Sequence, residues 1–263
     1  QSLGREVRFD GPMQLEISAH PRLKVGGMHV ANAAGFAGND FASLGEARLA
    51  LDLWPLLRLR FQIEELSGSD VHIRLQMKKN GSRNWIFKPA GNMQAEKPDP
   101  ATPQEAGMAL ENLLARLDIK RVSLERLDVE FIGANAKAHF FELQSLVAQL
   151  PAAEPITLAL NGKIDNTYPY RLDFTGGSIT DLLNIDEPWP IDLKLGFMSS
   201  ELSLNGHLSG EAGVINFALG TQNMAEFEQL LQMKLPAVGV ASISGTVKYA
   251  PGKVALESIG GYM

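Results

Sequence analysis

Apolar and polar residues alternate strictly along several segments of this chain, and this alternation constrains its fold most. From Val71 to Met77 the odd positions are apolar, and the even positions are His72, Arg74 and Gln76. Successive side chains of a β-strand point to opposite faces, so such a segment predicts a strand with one apolar and one polar face. What the apolar face covers is the central question for function.

Turn signals separate the alternating segments in the first third of the chain. Gly26-Gly27, Ser67-Gly68 and Asn80-Gly81 are predicted to be turns, the last of them in a tight hairpin. Consecutive strands joined by short turns form an antiparallel meander. The sequence predicts such a meander, with strands at 13–18, 28–33, 47–53, 57–63, 70–77 and 85–87.

Residues 89–102 divide the chain, because prolines among small and polar residues predict a linker or surface loop. Thr102 and Pro103 are typical of a helix start, and apolar residues at helical spacing predict an amphipathic helix at 103–117. We therefore predict a β-meander at 1–88, a Pro-rich linker or loop at 89–102, and a helix followed by repeated strand and short-helix units at 103–263.

The second half contains an internal repeat, in which the segment from Leu158 to Ile164 resembles the segment from Leu202 to Leu208. In each copy a strand pair precedes a short helix, at 178–183 or 223–231, and then a proline and another strand. Such a unit cannot bury its apolar side alone, so neighbouring copies are expected to stack. The predicted fold class is mainly β with a few short helices (α+β), an elongated, curved antiparallel repeat sheet that forms an apolar groove.

Composition excludes several classes of protein. A formal net charge of -6 with only short basic groups does not suit a nucleic-acid-binding protein. The chain has no cysteine, which excludes disulfides, Cys-based metal sites and Cys nucleophiles. No apolar run is long enough for a transmembrane helix. We expect any membrane anchor or targeting signal to lie outside this sequence.

No motif for catalysis or metal binding is apparent. Asp186 and Glu187 beside Trp189, or Asp70 with Asp128, could supply a carboxylate pair for glycoside hydrolysis, but acids near strand ends and prolines are more often turn formers. No two histidines have the spacing of a helical zinc site. We therefore expect no metal, no cofactor and no enzymatic activity. The scattered histidines are His20, His29, His72, His139 and His207.

The remaining candidate for function is the apolar face itself. In a closed sandwich its residues form a packed core, whereas in an open curved sheet they line a trough that takes an apolar ligand. Periodicity does not decide between the two. The candidate groove-lining residues are Leu49, Leu51, Leu53, Phe61, Ile63, Val71, Ile73, Leu75, Met77, Val129, Phe131, Leu158, Leu160, Leu193, Leu195, Ile215, Phe217 and Leu219.

Short motifs follow one another in a fairly specific order. In the first half they are Pro21-Arg-Leu23-Lys-Val25, Val30-Ala-Asn32, the segments 44–57, 61–66 and 71–75, and Asn80-Gly81-Ser-Arg-Asn84-Trp85. In the second half they are Ile156-Thr-Leu158-Ala-Leu160-Asn-Gly162 and the Leu182-Leu183 and Leu230-Leu231 helices. In this order they resemble the AsmA family, and the resemblance covers most of the chain outside the linker.

The resemblance implies a protein of the Gram-negative envelope, periplasmic and anchored to the inner membrane by an N-terminal helix that this sequence lacks. The partners that it implies are a phospholipid or other acyl-chain lipid, the inner membrane and outer-membrane components, with no nucleic acid. The expected function is to bind or conduct phospholipid acyl chains in a β-groove and so support outer-membrane lipid homeostasis. The family is not known for enzymes.

Two other functions stay open at this point. Exposed strand edges could hold outer-membrane proteins by strand addition, which would make the chain an assembly or scaffold factor and requires no trough. A carbohydrate-active enzyme using the scattered acids is the third possibility. The observation that best separates these hypotheses is whether the sheet is an open groove or a closed, packed sandwich.

Overall fold

The computed structural model describes residues 5–18, 20–52, 54, 62–87, 118–182, 184, 187–210, 212–228, 234 and 239–262. The fold is mainly β, with almost no helix, as the alternation predicts. The chain divides into two compact units, residues 1–140 and 141–263. The predicted linker at 89–102 and helix at 103–117 lie outside the described residues, so the division at 88–102 stays a prediction.

Unit 1 contains a sheet in which β3 to β5 pair antiparallel and β7 joins β5 in parallel. The pairs from β3 to β5 are antiparallel, as the meander predicted for residues 1–88 requires, whereas β7 lies beyond that segment and adds a parallel pair. A parallel neighbour requires a crossover of a dozen or more residues, and the chain between β5 and β7 is long enough to provide it. The strands are β1 (Val7–Phe9), β2 (Met13–Glu16), β3 (Arg22–Ala31), β4 (Asp40–Asp52), β5 (Gln62–Gln76), β6 (Asp118–Ile119) and β7 (Arg121–Ile132).

A line of irregular backbone crosses β3, β4, β5 and β7, and we call it the crease. The registers on either side place Gly27 opposite Gly45 and Gly45 opposite Asp70. Asp70 in turn lies beside Arg126 on the parallel strand. Gly27, Asp70 and Arg126 have φ values of 57°, 55° and 57°, in the left-handed region.

The crease keeps apolar side chains on one face of the sheet. Gly68 and Val71 lie three positions apart, which would place them on opposite faces of a regular strand. A Cβ built at Gly68 nevertheless lies 3.6 Å from Cδ1 of Leu44, which is opposite Val71. The alternation therefore shifts by one residue at the crease, as at a β-bulge, and the apolar face continues across it.

Glycines make the crease sterically possible. A Cβ at Gly45 would lie 2.8 Å from Cβ of Asp70, and one at Gly27 would lie 2.7 Å from the nitrogen of Gly11. Gly26-Gly27 and Ser67-Gly68 were predicted as turns, and this is wrong because both pairs lie inside strands. Local sequence cannot distinguish a turn from a bulge, since both require the same backbone freedom.

The end of β5 is closed by a buried asparagine. The predicted turn at Asn80-Gly81 is confirmed, with Gly81 at φ 81°. Beyond it, the Oδ1 atom of fully buried Asn84 accepts a hydrogen bond from the Gln76 backbone N–H at 2.7 Å. Its Nδ2 group donates to the Arg74 carbonyl oxygen at 2.7 Å. Because this side chain bonds the backbone as a neighbouring strand would, residues 85–87 are not the strand that the sequence predicts.

Unit 2 is an antiparallel sheet in which each strand pairs with the next one along the chain. Its first strand, β8, begins just before the unit boundary. The strands are β8 (Ala138–Gln149), β9 (Thr157–Ile164), β10 (Tyr168–Gly176), β11 (Trp189–Phe197), β12 (Ser200–Leu208), β13 (Gly213–Thr221), β14 (Ala241–Ala250) and β15 (Lys253–Tyr262).

The internal repeat is confirmed as a structural repeat. Strands β9 and β10 precede α1 (Ile179–Leu182) and β11, while β12 and β13 precede a 3₁₀ helix (Met224–Phe227) and β14. The side chain of Asn223 caps the 3₁₀ helix by accepting a hydrogen bond from the Ala225 N–H at 3.1 Å. The helix predicted at 223–231 is described only over this first turn, and its remainder lies mostly outside the described residues.

The ion pair at the crease predicts a pH-dependent contribution to stability. Nε and Nη2 of Arg126 donate to the two carboxylate oxygens of Asp70 at 2.5 and 2.8 Å. These hydrogen bonds hold the pKa of Asp70 below its ordinary value of 3.8. The stabilisation is therefore present above the ordinary pKa and is lost as the pH falls through the lower pKa of the folded state.

The change Asp70→Asn should remove this acid-dependent part of the unfolding free energy, measured by urea denaturation across a series of pH values. Asparagine tolerates the left-handed backbone, so the substitution tests charge rather than strain. In an Arg126→Gln background, Asp70→Asn should not change the pH dependence of the unfolding free energy further. If Asp70→Asn changed that pH dependence equally with and without Arg126, the assignment would be contradicted.

Candidate functional site

The candidate site is the apolar face, and in unit 2 the register aligns it into rows. Strand pairing places each leucine directly opposite an apolar residue of the next strand, and directly opposite residues share a face. The first row runs from β8 to β14 through Leu146, Leu160, Leu172, Leu195, Leu202, Leu219 and Ile243.

A second row runs parallel to the first, two residues away along each strand. It consists of Ala148, Leu158, Phe174, Leu193, Leu204, Phe217 and Gly245. The glycine is covered by its neighbour, since a Cβ there would lie 3.0 Å from the Phe217 ring. No polar side chain interrupts either row over the seven strands.

The described apolar face has no second layer packed on it. Within each unit, the principal contacts between strands join hydrogen-bonded neighbours. Among the described residues, the buried apolar side chains are Leu143, Ala148 and Trp189 alone. Apart from Ala148, the row side chains are half-buried or exposed, and Leu219 and Ile243 are each 44% exposed. A closed sandwich would bury the same residues, so the described face is a single-layer surface.

In unit 1 the apolar face is built by the parallel pair β5 and β7. Val71 lies beside Leu127, and the next two apolar positions of each strand pair in the same way. Of the sequence-predicted residues in this unit, the pairs that the register forms are Ile73 with Val129, Leu75 with Phe131 and Leu51 with Ile63.

The remaining predicted residues of unit 1 are placed differently. Leu49 pairs with Leu66, and Met77 forms an isolated bridge with Arg83 beyond the end of β5. Leu53 and Phe61 lie outside the described residues. The structure thus brings most of the predicted residues into aligned sets within each unit, and their role in lining a groove stays a prediction.

Sequence reasoning missed Leu44, Leu66 and Leu124, which belong to the same face. Within their own strands they stand out of phase with the apolar residues on the other side of the crease, because the crease shifts the alternation by one residue. Left-handed backbone at Asp70 and Arg126 leaves no clear signal in the sequence. The available sign was a pair of glycines on the neighbouring strands, Gly45 opposite Asp70 and Gly27 opposite Gly45.

Trp189 covers one end of the apolar face in unit 2. Its ring lies over Gly176, where a Cβ would be 2.4 Å from the indole, and its Nε1 group donates to the Ser178 carbonyl oxygen at 3.0 Å. Phe174 lies next to it, with 6.0 Å between ring centroids. Trp189 is 9% exposed, so its burial anchors the start of β11.

The opposite face of unit 1 is polar and carries a ladder of charge pairs. Beside the Asp70 and Arg126 pair, His72 lies 3.1 Å from Asp128. The next pair joins Arg74 Nε to a Glu130 carboxylate oxygen at 2.6 Å. All three pairs are in direct register across β5 and β7, so they stabilise the parallel junction from its wet side.

Unit 2 also has a polar face opposite the rows. Asn216 Nδ2 donates to Asn205 Oδ1 at 3.1 Å, and Thr246 Oγ1 donates to Asn216 Oδ1 at 2.8 Å. These residues pair directly in the strand register, so they form a hydrogen-bonded ladder across β12, β13 and β14. Each unit therefore separates an apolar face from a polar one.

Histidine side chains meet acids without converging on one point. His29 contacts two acids, and its Nε2 atom, on the other side of the ring from Nδ1, lies 3.7 Å from an Asp10 carboxylate oxygen. Nδ1 of His29 lies 2.9 Å from an Asp40 carboxylate oxygen, and His20 lies 3.2 Å from Glu64. In the part of the chain that the structure describes, no three metal-ligating side chains converge. None of the helices described there is long and apolar enough to cross a bilayer.

In its described part the chain is therefore a β-sheet protein of one layer, with one apolar face and one polar face. The model of the AsmA family matches residues 1–229, so the chain belongs to the AsmA family. This family is associated with the bacterial envelope, as the resemblance of the sequence motifs implies. No curated protein and no solved structure matched the chain significantly.

Trp189 gives a test of packing on this face. The change Trp189→Ala should lower the unfolding free energy by about 3–5 kcal/mol, because it leaves a cavity over Gly176. Trp54 provides the matched control, since its side chain is 68% exposed. Trp54→Ala should change the unfolding free energy by no more than about 0.5 kcal/mol in the same urea titration. Equal effects of the two changes would contradict the packing.

Tyr170 gives a second test, at high pH. Burial and, to a smaller extent, the charge of Glu142 raise the pKa of Tyr170 to about 12. Its hydroxyl donates to the Glu142 carbonyl oxygen at 3.0 Å. An ultraviolet titration of the four tyrosines should therefore contain one late step, which Tyr170→Phe removes. The associated stabilisation is present below about pH 10, the pKa of an unfolded tyrosine, and is lost as the pH rises towards the folded value.

Proposed function

We propose that the apolar face binds the acyl chains of phospholipids or similar lipids, in an envelope protein whose sheet lies in the periplasm. The observation that carries the proposal is the pair of uninterrupted apolar rows in unit 2, over which none of the described residues forms a second layer. Exposed apolar surface of this extent is unfavourable in water, and large patches of it usually mark interaction sites. Membership of the AsmA family supports an envelope setting.

The dimensions of the rows suit an acyl chain. Seven strands at a spacing of about 4.8 Å give each row a length of roughly 29 Å along the sheet. One leaflet of a bilayer occupies about half of a hydrocarbon core of about 30 Å, so an extended acyl chain fits within a row. Because the contacts are apolar and non-directional, no polar bond holds the acyl chain more strongly at one position of a row than at another.

This arrangement favours passage as well as binding. An acyl chain moving along a row exchanges one leucine or phenylalanine contact for a similar one at each strand. The polar headgroup has no place among the rows and stays in water at the side of the sheet, since burying it unpaired is costly. We propose that this conduction supports outer-membrane lipid homeostasis, with the inner membrane and outer-membrane components as further partners.

The proposed function involves no covalent chemistry. Desolvation and dispersion contacts are enough for lipid binding, and the apolar face supplies both. Of the acid pairs considered for glycoside hydrolysis, Asp70 and Asp128 each have another partner. Asp70 accepts hydrogen bonds from Arg126, and Asp128 lies beside His72. A turnover that disappears on replacement of one of these carboxylates would overturn the non-enzymatic assignment.

Adjacent residues of β9 give a matched test of lipid binding. Leu158 lies in the second row, whereas Thr157 lies on the opposite face between neutral neighbours, Gln149 and Thr175. Leu158→Glu should reduce the lipid that copurifies with the protein severalfold, because it places a charge in the row. Thr157→Glu adds the same charge on the polar face and should leave the lipid content unchanged.

Native mass spectrometry and solvent extraction of the purified protein measure the bound lipid, and thermal unfolding establishes that both variants are folded. A wild-type protein that is consistently free of lipid would contradict the proposal. So would a folded Leu158→Glu variant with the same lipid content as the wild type.

Strand addition at β15 is the second candidate function. In the described part of the chain β15 pairs with β14 alone, and several of its apolar side chains are more than half exposed. Val254 is 77% exposed and Ile259 is 59% exposed. The left-handed residue Ser258 interrupts this edge, which disfavours a long added strand. If the edge holds envelope proteins, a proline in β15 should abolish the binding of these proteins, whereas Leu158→Glu should leave that binding unchanged.

A further inference from the structure

A cavity of about 460 Å³ lies over strands β12 to β14 of unit 2, and most of its polar lining belongs to the face opposite the apolar rows, although Leu219 and Ile243 of the first row also line it. Its volume is within the range of small-molecule sites, about 300–1,000 Å³. Strands β12, β13 and β14 form its base, and Tyr262 of β15 stands at its rim. Because serine and glutamate side chains dominate its polar lining, the lipid proposal does not account for it.

The cavity exists because the middle strand has small residues. On β13, Ala218 and Gly220 form the floor. Gly220 lies between Glu201 of β12 and Ser242 of β14 in the strand register. Ala218 lies in the same way between Ser203 and Ser244. The result is a slot between two outer strands that are roughly 10 Å apart, with polar side chains along both.

The polar groups along the slot have hydrogen-bonding capacity to spare. Among the described residues, the side chains of Glu201, Ser242 and Ser244 have no hydrogen-bond partner, and Ser203 Oγ makes only a long bond of 3.5 Å to the Ala218 carbonyl oxygen. The hydroxyl of Ser199, which also lines the cavity, is buried and unpartnered in the described chain. A buried hydroxyl without a partner is costly, so a ligand or ordered water that bonds it is favoured.

The chemistry of the lining selects a class of ligand. Glu201 is the one ionisable acid or base among the lining residues apart from Tyr262, so an anion is repelled and a neutral or cationic group is accepted. Serine hydroxyls both donate and accept hydrogen bonds, as do the hydroxyls of a sugar. Tyr262, 64% exposed, and Val240 at the rim can contact the C–H face of a ring.

We propose that this slot binds a pyranose ring, either a neutral sugar or an amino sugar whose ammonium group pairs with Glu201. The ring lies over Ala218 and Gly220, its hydroxyls bond the serines of β12 and β14, and Tyr262 covers one edge. The module then has two independent ligand surfaces, an apolar face for lipid and a polar slot for sugar.

Two glycines in one row provide a matched pair for the test. Gly196 and Gly220 both lie directly opposite Glu201, one on each side, but only Gly220 lines the cavity. At both positions an added Cβ has no heavy atom closer than 3.9 Å, and neither residue has a left-handed φ. Gly220→Val and Gly196→Val should therefore both fold, whereas only Gly220→Val fills the floor of the slot.

The experiment titrates the full chain with glucose, N-acetylglucosamine and glucosamine, and follows binding by calorimetry and protein NMR. We expect the wild type and Gly196→Val to bind at least one of the three with millimolar affinity, and Gly220→Val to lose about tenfold or more in affinity. Glu201→Gln should remove any preference for glucosamine over glucose. The acyclic polyol mannitol serves as the control for ring recognition.

Three outcomes would overturn the proposal. One is a wild type that binds none of the three sugars, and another is a Gly220→Val variant that binds as well as the wild type. The third is an equal loss in both valine variants, which would mean that binding depends on something other than the slot. Copurified lipid should be the same in Gly220→Val and in the wild type, so this test is separate from that of lipid binding.

Discussion

The structure depends on keeping apolar side chains on one face of a sheet that has a single described layer. A sandwich can bury residues that fall out of phase, but a single layer would expose them to water on its polar side. The crease meets this constraint in unit 1. At one transverse line Gly27, Asp70 and Arg126 take left-handed backbone together, so every strand shifts its alternation at the same place and the face stays apolar. The Asp70 and Arg126 ion pair joins two of these strands at that line.

Unit 2 meets the same constraint with a different device. Its rows stay in phase across seven strands, and aromatic rings cover the glycines that would otherwise leave gaps. Tyr170 lies over Gly162, Tyr249 over Gly213, Phe217 over Gly245 and Trp189 over Gly176. Two of these rings also bond backbone, since the Tyr170 and Tyr249 hydroxyls donate to carbonyl oxygens at 3.0 and 2.8 Å. Ring and glycine together thus keep a smooth apolar face, over which the described residues place no covering layer.

The separation of faces also separates the two proposed activities. Lipid binding relies on non-directional apolar contact along the rows, whereas sugar binding relies on hydroxyl and carboxylate groups around a floor of small residues. The two surfaces share strands β12 to β14 but point in opposite directions. A single-layer sheet can have a ligand surface on each face only if neither face is needed to build a core. The few buried apolar residues of the described chain agree with this condition.

The sequence by itself determined the period-two alternation, the mainly β class, the repeat of strands and short helices, and most of the apolar face. These follow from local patterns of one to ten residues. The tertiary structure alone decided the parallel pairing of β5 with β7, the crease, the Asn84 corner and the residues that meet across the slot. Each of these depends on which strands become neighbours and in which register. Hydrogen bonds between distant segments decide that, so Leu44 and Leu66, out of phase in the sequence, share a face with Val71 in the folded chain.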